Sequence, residues 1–565
     1  MIGIPQNKNM GQSENMVKIV ERLFSESLFL PSEIEKKYPP RELKANAMVT
    51  RIAPSPTGFM HIGGLYTALI SERFAHQTDG FFYIRIEDTD RKREVAGASS
   101  LLVKSLSYYG INTDEGQTLS GEEIGMYGPY SQSKRAEIYK AYIKDLVVKD
   151  LAYPCFSTLE ELEEMYSIQE AEKVRPGYYG QWAKWRNKPD QEVLRALDEG
   201  KSFVIRFQSN GNCSNKVFFK DVLRGGRELP ENDQDVVIMK SDGLPTYHLA
   251  HVVDDHLMGT THVIRGDEWL SSTPLHLQLF QALNWDPPHY GHISPIQKIE
   301  GVSKRKLSKR KDSEASVSYY DEQGYPKDAV IEYLLNLANS NFEDWRKINP
   351  DKNNREFTLT FAKLANSSGA LFDFDKLNNI SKELIARYSV DDIYSKGLDW
   401  AKKYDLEFSK IFEQNPDYTK GILGIERSGQ TNVRKDIAKW SDLKHETEYF
   451  FDRLFHLTTE GIIESLLGIN TNDIKTTVKD FIESYREDDS KDQWFEKIKE
   501  ISIEHGYAGN IKIFKEDPKK YKGYVADIAK IFRVLLTGRV NTPDLYSIMH
   551  IMGKDRVLKR LSVIK

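Results

Sequence analysis

The sequence predicts an α/β protein in three parts: a parallel, doubly wound sheet, an α+β segment inserted into it, and an all-helical C-terminal region. Three observations carry this. Residues 48–90 run apolar strand, helix, apolar strand, the succession of a βαβ unit. Residues 150–240 break that pattern with a charged helical stretch and short strands, after which it returns. Beyond residue 330 the strand signals fade, and helix follows helix, rich in Lys, Glu, Ile and Leu.

Residues 1–47 read as an N-terminal extension: polar at first, amphipathic near Val17–Leu30, and ending past Tyr38-Pro39-Pro40, where Pro-Pro marks an extended boundary. The first half of the sheet domain, 48–150, opens with M-V-T-R-I-A, a short strand of the buried type. L-Y-T-A-L-I-S-E-R-F-A then repeats apolar residues at helical spacing, and G-F-F-Y-I-R-I-E-D-T-D supplies the second strand. The insertion, 151–234, holds the charged helical stretch Glu160–Lys173, the turn-rich Arg175-Pro176-Gly177-Tyr178-Tyr179-Gly180 and the strand S-F-V-I-R-F. The sheet domain resumes over 235–325 with D-V-V-I-M-K-S-D-G and H-V-I-R-G-D-E-W. A helical bridge, 326–379, and a helical region, 380–565, complete the chain. No heptad array or solenoid repeat interrupts this order.

Charged residues make up 29% and hydrophobic residues 39%, the composition of a folded soluble protein. A net charge of −5 argues against a general nucleic-acid coat and leaves room for a local basic patch. Two cysteines, Cys155 and Cys213, exclude a disulfide framework and argue against a cysteine-rich zinc site. No apolar run approaches the ~20 residues that span a bilayer. The opening M-I-G-I-P-Q-N-K-N-M-G-Q-S-E-N lacks the apolar core of a signal peptide. The expectation is a cytoplasmic protein with no membrane partner.

The stretch Arg51-Ile-Ala-Pro-Ser-Pro-Thr-Gly-Phe-Met-His-Ile-Gly-Gly64 lies at the carboxyl end of the first strand, where open parallel sheets bind their ligands. Pro54 and Pro56 restrict the loop, and Gly58 permits an unusual turn. Gly63 and Gly64 open the helix without side chains, so a ligand can approach backbone N–H groups and the positive end of the helix dipole. His61 adds a donor beside them. Alone, the same residues equally describe a tight βα turn. Residues 303–311, S-K-R-K-L-S-K-R-K, read either as a solvated charge run or as a flexible lysine loop that closes on a triphosphate and stabilises departing pyrophosphate. A third cluster is His248, His251, Asp254, Asp255 and His256; of these, residues 248, 251 and 255 share one helix face, a spacing compatible with a metal site. A metal-hydrolase reading built on it leaves the other two stretches unexplained.

Together, R-I-A-P-S-P-T-G-x-x-H-I-G-G and K-L-S-K-R resemble the paired signature motifs of class I aminoacyl-tRNA synthetases. R-I-E-D-T-D and P-T-Y-H-L-A-H-V-V-D-D-H-L-M-G-x-T-H-V-I-R-G-D-E-W narrow the resemblance to the bacterial-type glutamyl-tRNA synthetase group. It runs from about Val49 to Tyr333 through specific motifs and continues more loosely through R-V-L-L-T-G at 533–538. The resemblance implies a Rossmann-type catalytic domain, an insertion that binds the tRNA acceptor end, a stem-contact helical bridge and a helical anticodon-binding region. It implies ATP-dependent activation of L-glutamate to glutamyl-adenylate, then transfer to the 3′ end of tRNA(Glu). No enzyme nucleophile is needed, because the substrate's carboxylate attacks the α-phosphorus, so catalysis is positioning plus charge stabilisation.

By motif match, His61, Lys306 and Lys309 are the implied catalytic residues. ATP falls to Pro54, His61, Gly63, Gly64, Glu268, Trp269, Lys306 and Lys309, with Mg2+ accompanying the nucleotide. Glutamate falls to Arg51, Ala53, Ser55, Glu87, Tyr247, His251 and Arg265. The chemistry agrees: glutamate's two carboxylates call for two cations, Arg51 and Arg265, and its ammonium for one anion, Glu87. Taken singly, Glu87 and Asp88 also read as an acidic strand end, and Arg265 as a core ion pair.

The chain departs from common patterns in three places. Gly64 replaces the histidine that ends the first signature. His251 stands where many relatives carry asparagine. Ser157 replaces the second thiol of the Cys-x-Cys segment, here Cys155-Phe156-Ser157, through which some bacterial relatives bind zinc. Serine is a poor zinc ligand, so no zinc and no other protein-held metal is expected. The helical reading of 380–565 favours glutamate over glutamine, since the glutamine cousins use β-barrels there. Arg434, Lys435, Trp440 and Arg533 suit RNA contact by charge and stacking, and suit a solvated helix face with core aromatics equally. A monomer is expected. Two alternatives stay open: a form that also glutamylates tRNA(Gln), and a non-catalytic tRNA-binding paralogue.

Overall fold

The computed structural model describes residues 14–24, 28–90, 92–308, 310–364, 370–430 and 433–564. The chain forms two compact units: residues 1–319 with 331–373, and residues 320–330 with 374–565. The helical bridge expected over 326–379 is therefore not one body. Most of it belongs to the first unit, and its ends to the second.

In the first unit, helices α1 (Glu14–Leu23) and α2 (Pro31–Lys37) precede the sheet. Val20 and Ile34 of these helices, with Phe24, Leu28 and Tyr38 beside them, are buried in one core with Tyr139, Tyr142, Val253 and Leu257. The described part of the expected extension is thus integral to the fold. Polar contacts agree: Arg41 forks onto Glu115 at 2.9 and 2.6 Å, and Glu35 meets His256 at 3.1 Å.

Strand β1 (Val49–Ile52) is buried throughout and pairs in parallel with β2 (Phe81–Ile84), Arg51 opposite Tyr83. Helix α3 (Ile62–His76) crosses between them. It is buried on nearly every side, its polar Ser71, Glu72 and Arg73 included. The insertion builds an antiparallel sheet from β3 (Ala152–Cys155) and β4 (Val204–Phe207), and a hairpin from β5 (Lys216–Asp221) and β6 (Gly225–Pro230). Its sheet gains a third strand, β7 (Val237–Met239), antiparallel to β4. The expected boundary at 234/235 therefore falls too early. D-V-V-I-M is a short apolar run, and such a run does not reveal which sheet it joins.

The parallel pattern resumes after helix α4 (Tyr247–Leu257), with β8 (His262–Gly266), α5 (Thr273–Ala282) and β9 (His289–Ile293); β8 and β9 pair in parallel. Thr261 N–H donates to Val49 C=O at 3.0 Å, joining the two parallel pairs at β1. A hairpin of β10 (Ile296–Glu300) and β11 (Ser303–Lys306) follows.

The regular elements described in the second unit are helices. One core gathers Phe481, Ile528, Phe532, Leu535 and Ile548, and another Ile393, Phe408, Phe412, Leu423 and Leu443. This agrees with the all-helical reading. No helix among the described residues is long and apolar enough to cross a membrane.

Candidate functional site

A cavity of about 500 Å3 opens at the carboxyl ends of β1 and β8. Twelve of the residues singled out from sequence line it: Arg51, Ala53, Ser55, His61, Gly63, Gly64, Glu87, Tyr247, Arg265, Glu268, Trp269 and Lys306. They come from stretches up to 255 residues apart in sequence, which the two parallel strand pairs bring to one edge. That size is ordinary for a small-molecule site.

Two predicted residues do not line it. Pro54 acts through its backbone: its C=O accepts from Glu87 N–H at 3.0 Å, fixing Glu87 beside the loop. His251 lies fully buried behind Tyr247, the two rings stacked at 5.5 Å. Its Nε2 is 3.1 Å from Tyr290 Oη and its Nδ1 2.8 Å from Asp255. His251 is therefore support for the cavity wall. A third predicted residue, Lys309, lies outside the described residues.

The end of the cavity that holds Arg51 and Arg265 is wired from behind. Arg51 sits 3.4 Å from Asp255 through Nε, and Arg85 holds Asp255 at 2.6 Å and Glu87 at 3.1 Å. Burial opposes ionisation of Asp255, but Arg51 and Arg85 outweigh it and keep the carboxylate well below its usual range. Burial pushes Glu87 the other way, upward, with Arg85 and Arg51 partly offsetting it. Burial also lowers His251 to about 3, despite Asp255, so its imidazole is neutral. Arg265 is set by four hydrogen bonds: to His292 Nε2 at 3.0 Å, His276 Nδ1 at 3.1 Å, Thr273 Oγ1 at 2.9 Å and Trp269 C=O at 3.3 Å. The tyrosine ring of Tyr290 packs 4.5 Å from its guanidinium.

The other end is built around α3 and the hairpin. His61 is the N-cap of α3, and its Nδ1 accepts from Gly63 N–H at 2.9 Å. Its Nε2–H is thus the donor to Leu307 C=O, 3.3 Å away. A Cβ on Gly63 would stand 3.1 Å from Nδ1 and crowd the cap. Gly64 is different: a Cβ there would meet only Met60, at an ordinary 3.8 Å, so no protein contact demands glycine. The sequence reading had the helix's first donors free for phosphate. Instead Gly63 N–H is capped by His61, and Gly64 N–H bonds His61 C=O at 2.8 Å.

The basic stretch also differs from expectation. Residues Ser303–Lys306 are a strand, not a flexible loop. Arg305 forks onto buried Asp312 at 2.6 and 2.8 Å, and Ser308 N–H donates to Asp312 at 2.9 Å. These bonds hold Asp312 far below the usual carboxylate range. Lys306 reaches the cavity and meets Glu268 at 3.2 Å, both side chains exposed. The run of successive cations before Leu307 gives no sign of this hairpin, because consecutive charged residues mask the strand period.

Among the described residues, no group of three or more His, Cys, Asp or Glu is placed to hold a metal. The α4 cluster is committed inward. Asp254 takes Arg135 at 2.7 Å, Gln132 at 2.8 Å and Tyr139 at 2.8 Å, and His256 stacks on Trp285 at 3.8 Å. In the insertion, Cys155 and Ser157 both approach Tyr178 Oη at 3.4 Å. In the second unit, Arg434 lies 2.8 Å from Asp436, Lys435 bonds Glu383 at 2.7 Å, Arg533 bonds Thr542 at 3.0 Å and Trp440 is buried.

Sequence reasoning missed His276, His292 and Thr273. The signal was present in S-T-P-L-H and Y-G-H-I, where histidines interrupt apolar stretches expected to be buried.

Residues 47–379 match the family model for the catalytic domain of class I tRNA synthetases (E and Q), and residues 427–564 match an anticodon-binding domain. A glutamate–tRNA ligase of Clostridium perfringens is 48% identical over 531 residues, covering 94% of this chain and 97% of its own. One from Sorangium cellulosum is 45% identical over 558 residues, with the same shares covered. Among solved structures, a glutamate tRNA ligase of Elizabethkingia meningosepticum, in complex with its amino acid, superimposes with a TM-score of 0.72 at 26% identity. That match covers 92% of this chain and 99% of the other.

Proposed function

The chain belongs to the class I glutamate–tRNA ligases, and from that premise we propose how its cavity performs the reaction. The protein is an aminoacyl-tRNA ligase that joins L-glutamate to tRNA(Glu) with ATP. One observation carries the assignment of the site: two arginines, one buried glutamate, a capped helix start with two glycines and an exposed lysine share a single cavity.

Arg51 and Arg265 receive the two carboxylates of glutamate, and Glu87 with Tyr247 receives the ammonium. Ala53 and Ser55 shape the wall between them. The nucleotide lies along Gly63 and Gly64, where the missing side chain of Gly64 leaves room, with Glu268 and Trp269 toward the adenosine. The glutamate α-carboxylate attacks the α-phosphorus and pyrophosphate leaves. Lys306, together with Lys309 from the sequence motif, stabilises the charge that grows on it. His61 ties the helix start to Leu307, the residue that follows the hairpin. The terminal ribose hydroxyl of the tRNA then attacks the adenylate carbonyl, the acyl–phosphate bond breaks and AMP leaves. Mg2+ enters with the nucleotide as part of the substrate.

We read the enzyme as zinc-free, because Cys155 and Ser157 are engaged with Tyr178 and serine replaces a thiol. A cytoplasmic monomer fits the composition. Charging of separated tRNA(Glu) and tRNA(Gln) transcripts tests the function. Charging of tRNA(Glu) alone is expected, charging of both would widen its tRNA choice, and charging of neither would make it a binding paralogue.

A further inference from the structure

Arg51 and Arg265 face the same cavity but are held by opposite chemistry. Arg51 has a carboxylate, Asp255, behind it. Arg265 has none: among the described residues no carboxylate lies within 4.0 Å of its nitrogens. Its acceptors are two imidazoles, a hydroxyl and a backbone carbonyl.

The hydrogen-bond directions around Arg265 are mutually consistent. His292 Nδ1 lies 2.6 Å from Asp221, which fixes the proton there and leaves Nε2 to accept from Arg265 Nε. On the other side Arg265 donates to His276 Nδ1, so His276 carries its proton on Nε2, 3.1 Å from His248 Nδ1. A protonated ring at either position would lose its acceptor and set a second cation about 3 Å from the guanidinium. The surroundings keep both rings neutral. Burial, with His251 and Arg265 nearby, holds His276 well below its ordinary value, and burial lowers His292 although Asp221 pulls the other way.

We propose that His276 and His292 are positioning residues: a neutral clamp that orients Arg265 without cancelling its charge, keeping it available for a substrate carboxylate. This rests on the proposed function of the cavity. A carboxylate in the same place would orient Arg265 equally well and would compete with the substrate for it. An apolar residue would leave the charge available and the plane of the guanidinium unset. The clamp is the arrangement that does both.

The test is steady-state ATP–pyrophosphate exchange, in the presence of tRNA, for wild type, His276→Asn, His276→Leu, His276→Asp and His292→Gln. KM is read separately for glutamate and for ATP. Asn at 276 and Gln at 292 retain a neutral acceptor and should keep the glutamate KM within about threefold. Leu should raise it about tenfold or more, the loss of one hydrogen bond to a charged group. Asp should raise it at least as much, although it is an acceptor. The ATP KM should stay put in all. Unchanged glutamate KM in both Leu and Asp variants overturns the clamp. So does an equal rise in both KM values with a lowered Tm across the set, His276→Asn included, which marks mere packing. Should wild type show no glutamate-dependent exchange, the functional reading itself falls and the clamp with it. Exchange in wild type with unresponsive variants refutes the clamp alone.

Discussion

The two ends of the cavity are built to different standards. At the proposed amino-acid end Arg51 and Arg265 are 4% and 5% exposed, and the side chains that hold them, Asp255, His276, His292 and Thr273, are buried. At the nucleotide end Glu268 and Lys306 form their pair with side chains 51% and 55% exposed. A buried charge must be compensated within the fold, so the first end is set before any guest arrives. An exposed pair is held weakly and is free to exchange its partner for a phosphate. The contrast teaches where selection and where catalysis reside. On the proposed function, the rigid end distinguishes amino acids by charge, and the open end follows the changing charge of the nucleotide.

The largest effect should come from emptying the rigid end. Arg51→Gln and Arg265→Gln each remove a desolvated partner of a substrate carboxylate, at a cost of about 2–5 kcal/mol. Glutamate kcat/KM should fall by about 30-fold to several thousand-fold, that energy converted. For the arginine that faces the side chain, glutamine should suffer little, and the ratio between the two amino acids should narrow. A wild-type ratio in both variants would place selection elsewhere.

Stability should break along the same line. Asp255→Asn leaves Arg51 and Arg85 buried with less counter-charge, and should cost about 3–5 kcal/mol in denaturant unfolding of the enzyme. Glu268→Gln removes an exposed partner and should cost less than about 1 kcal/mol. Equal losses would erase the comparison.

Lys306→Ala probes the open end. It should slow single-turnover adenylate formation by about 10²-fold, as loss of one stabiliser of developing charge does, with glutamate binding unchanged. Normal adenylation would make the hairpin lysine a solvated charge.

The smallest effect lies between the two standards. His76, at the end of α3, is half-buried between Asp114 at 2.9 Å and Glu72 at 3.0 Å, and these carboxylates raise it to about 9. A histidine raised on folding adds stability that is full below its unfolded value, about 6.5, and is lost as pH rises through 9. Histidine NMR titration should find its midpoint near 9. A midpoint near the ordinary value would class His76 with the exposed pairs.

Much of this was legible in sequence, for physical reasons. The stretch 51–64 stands out by its prolines and glycines, which alone describe a tight βα turn as well as a site; only its pairing with the K-L-S-K-R motif decides between the two. The second halves of the site, Tyr247 and Arg265, follow from motif order. What stayed hidden is what depends on long-range pairing. Nothing local to Val237–Met239 says that it joins the insertion's sheet. Nothing local to Lys306 says that Arg305 and Asp312 turn a lysine run into a hairpin. His251 reads as a ligand because its motif position is shared, yet its ring is turned behind Tyr247 onto Tyr290. His276 and His292 lie on a helix and a strand outside the recognised motifs, and only the tertiary fold brings them to Arg265.

The central claim is that the rigid end selects glutamate by charge and the open end activates it with ATP. Its most direct test is ATP–pyrophosphate exchange by the wild-type enzyme with tRNA present, comparing glutamate with glutamine at matched concentrations. The two amino acids share a shape and differ in one charge, so an uncompensated arginine should penalise glutamine by about 2–5 kcal/mol. The account predicts exchange with glutamate at least about 30-fold more efficient than with glutamine. Equal exchange with both would contradict it.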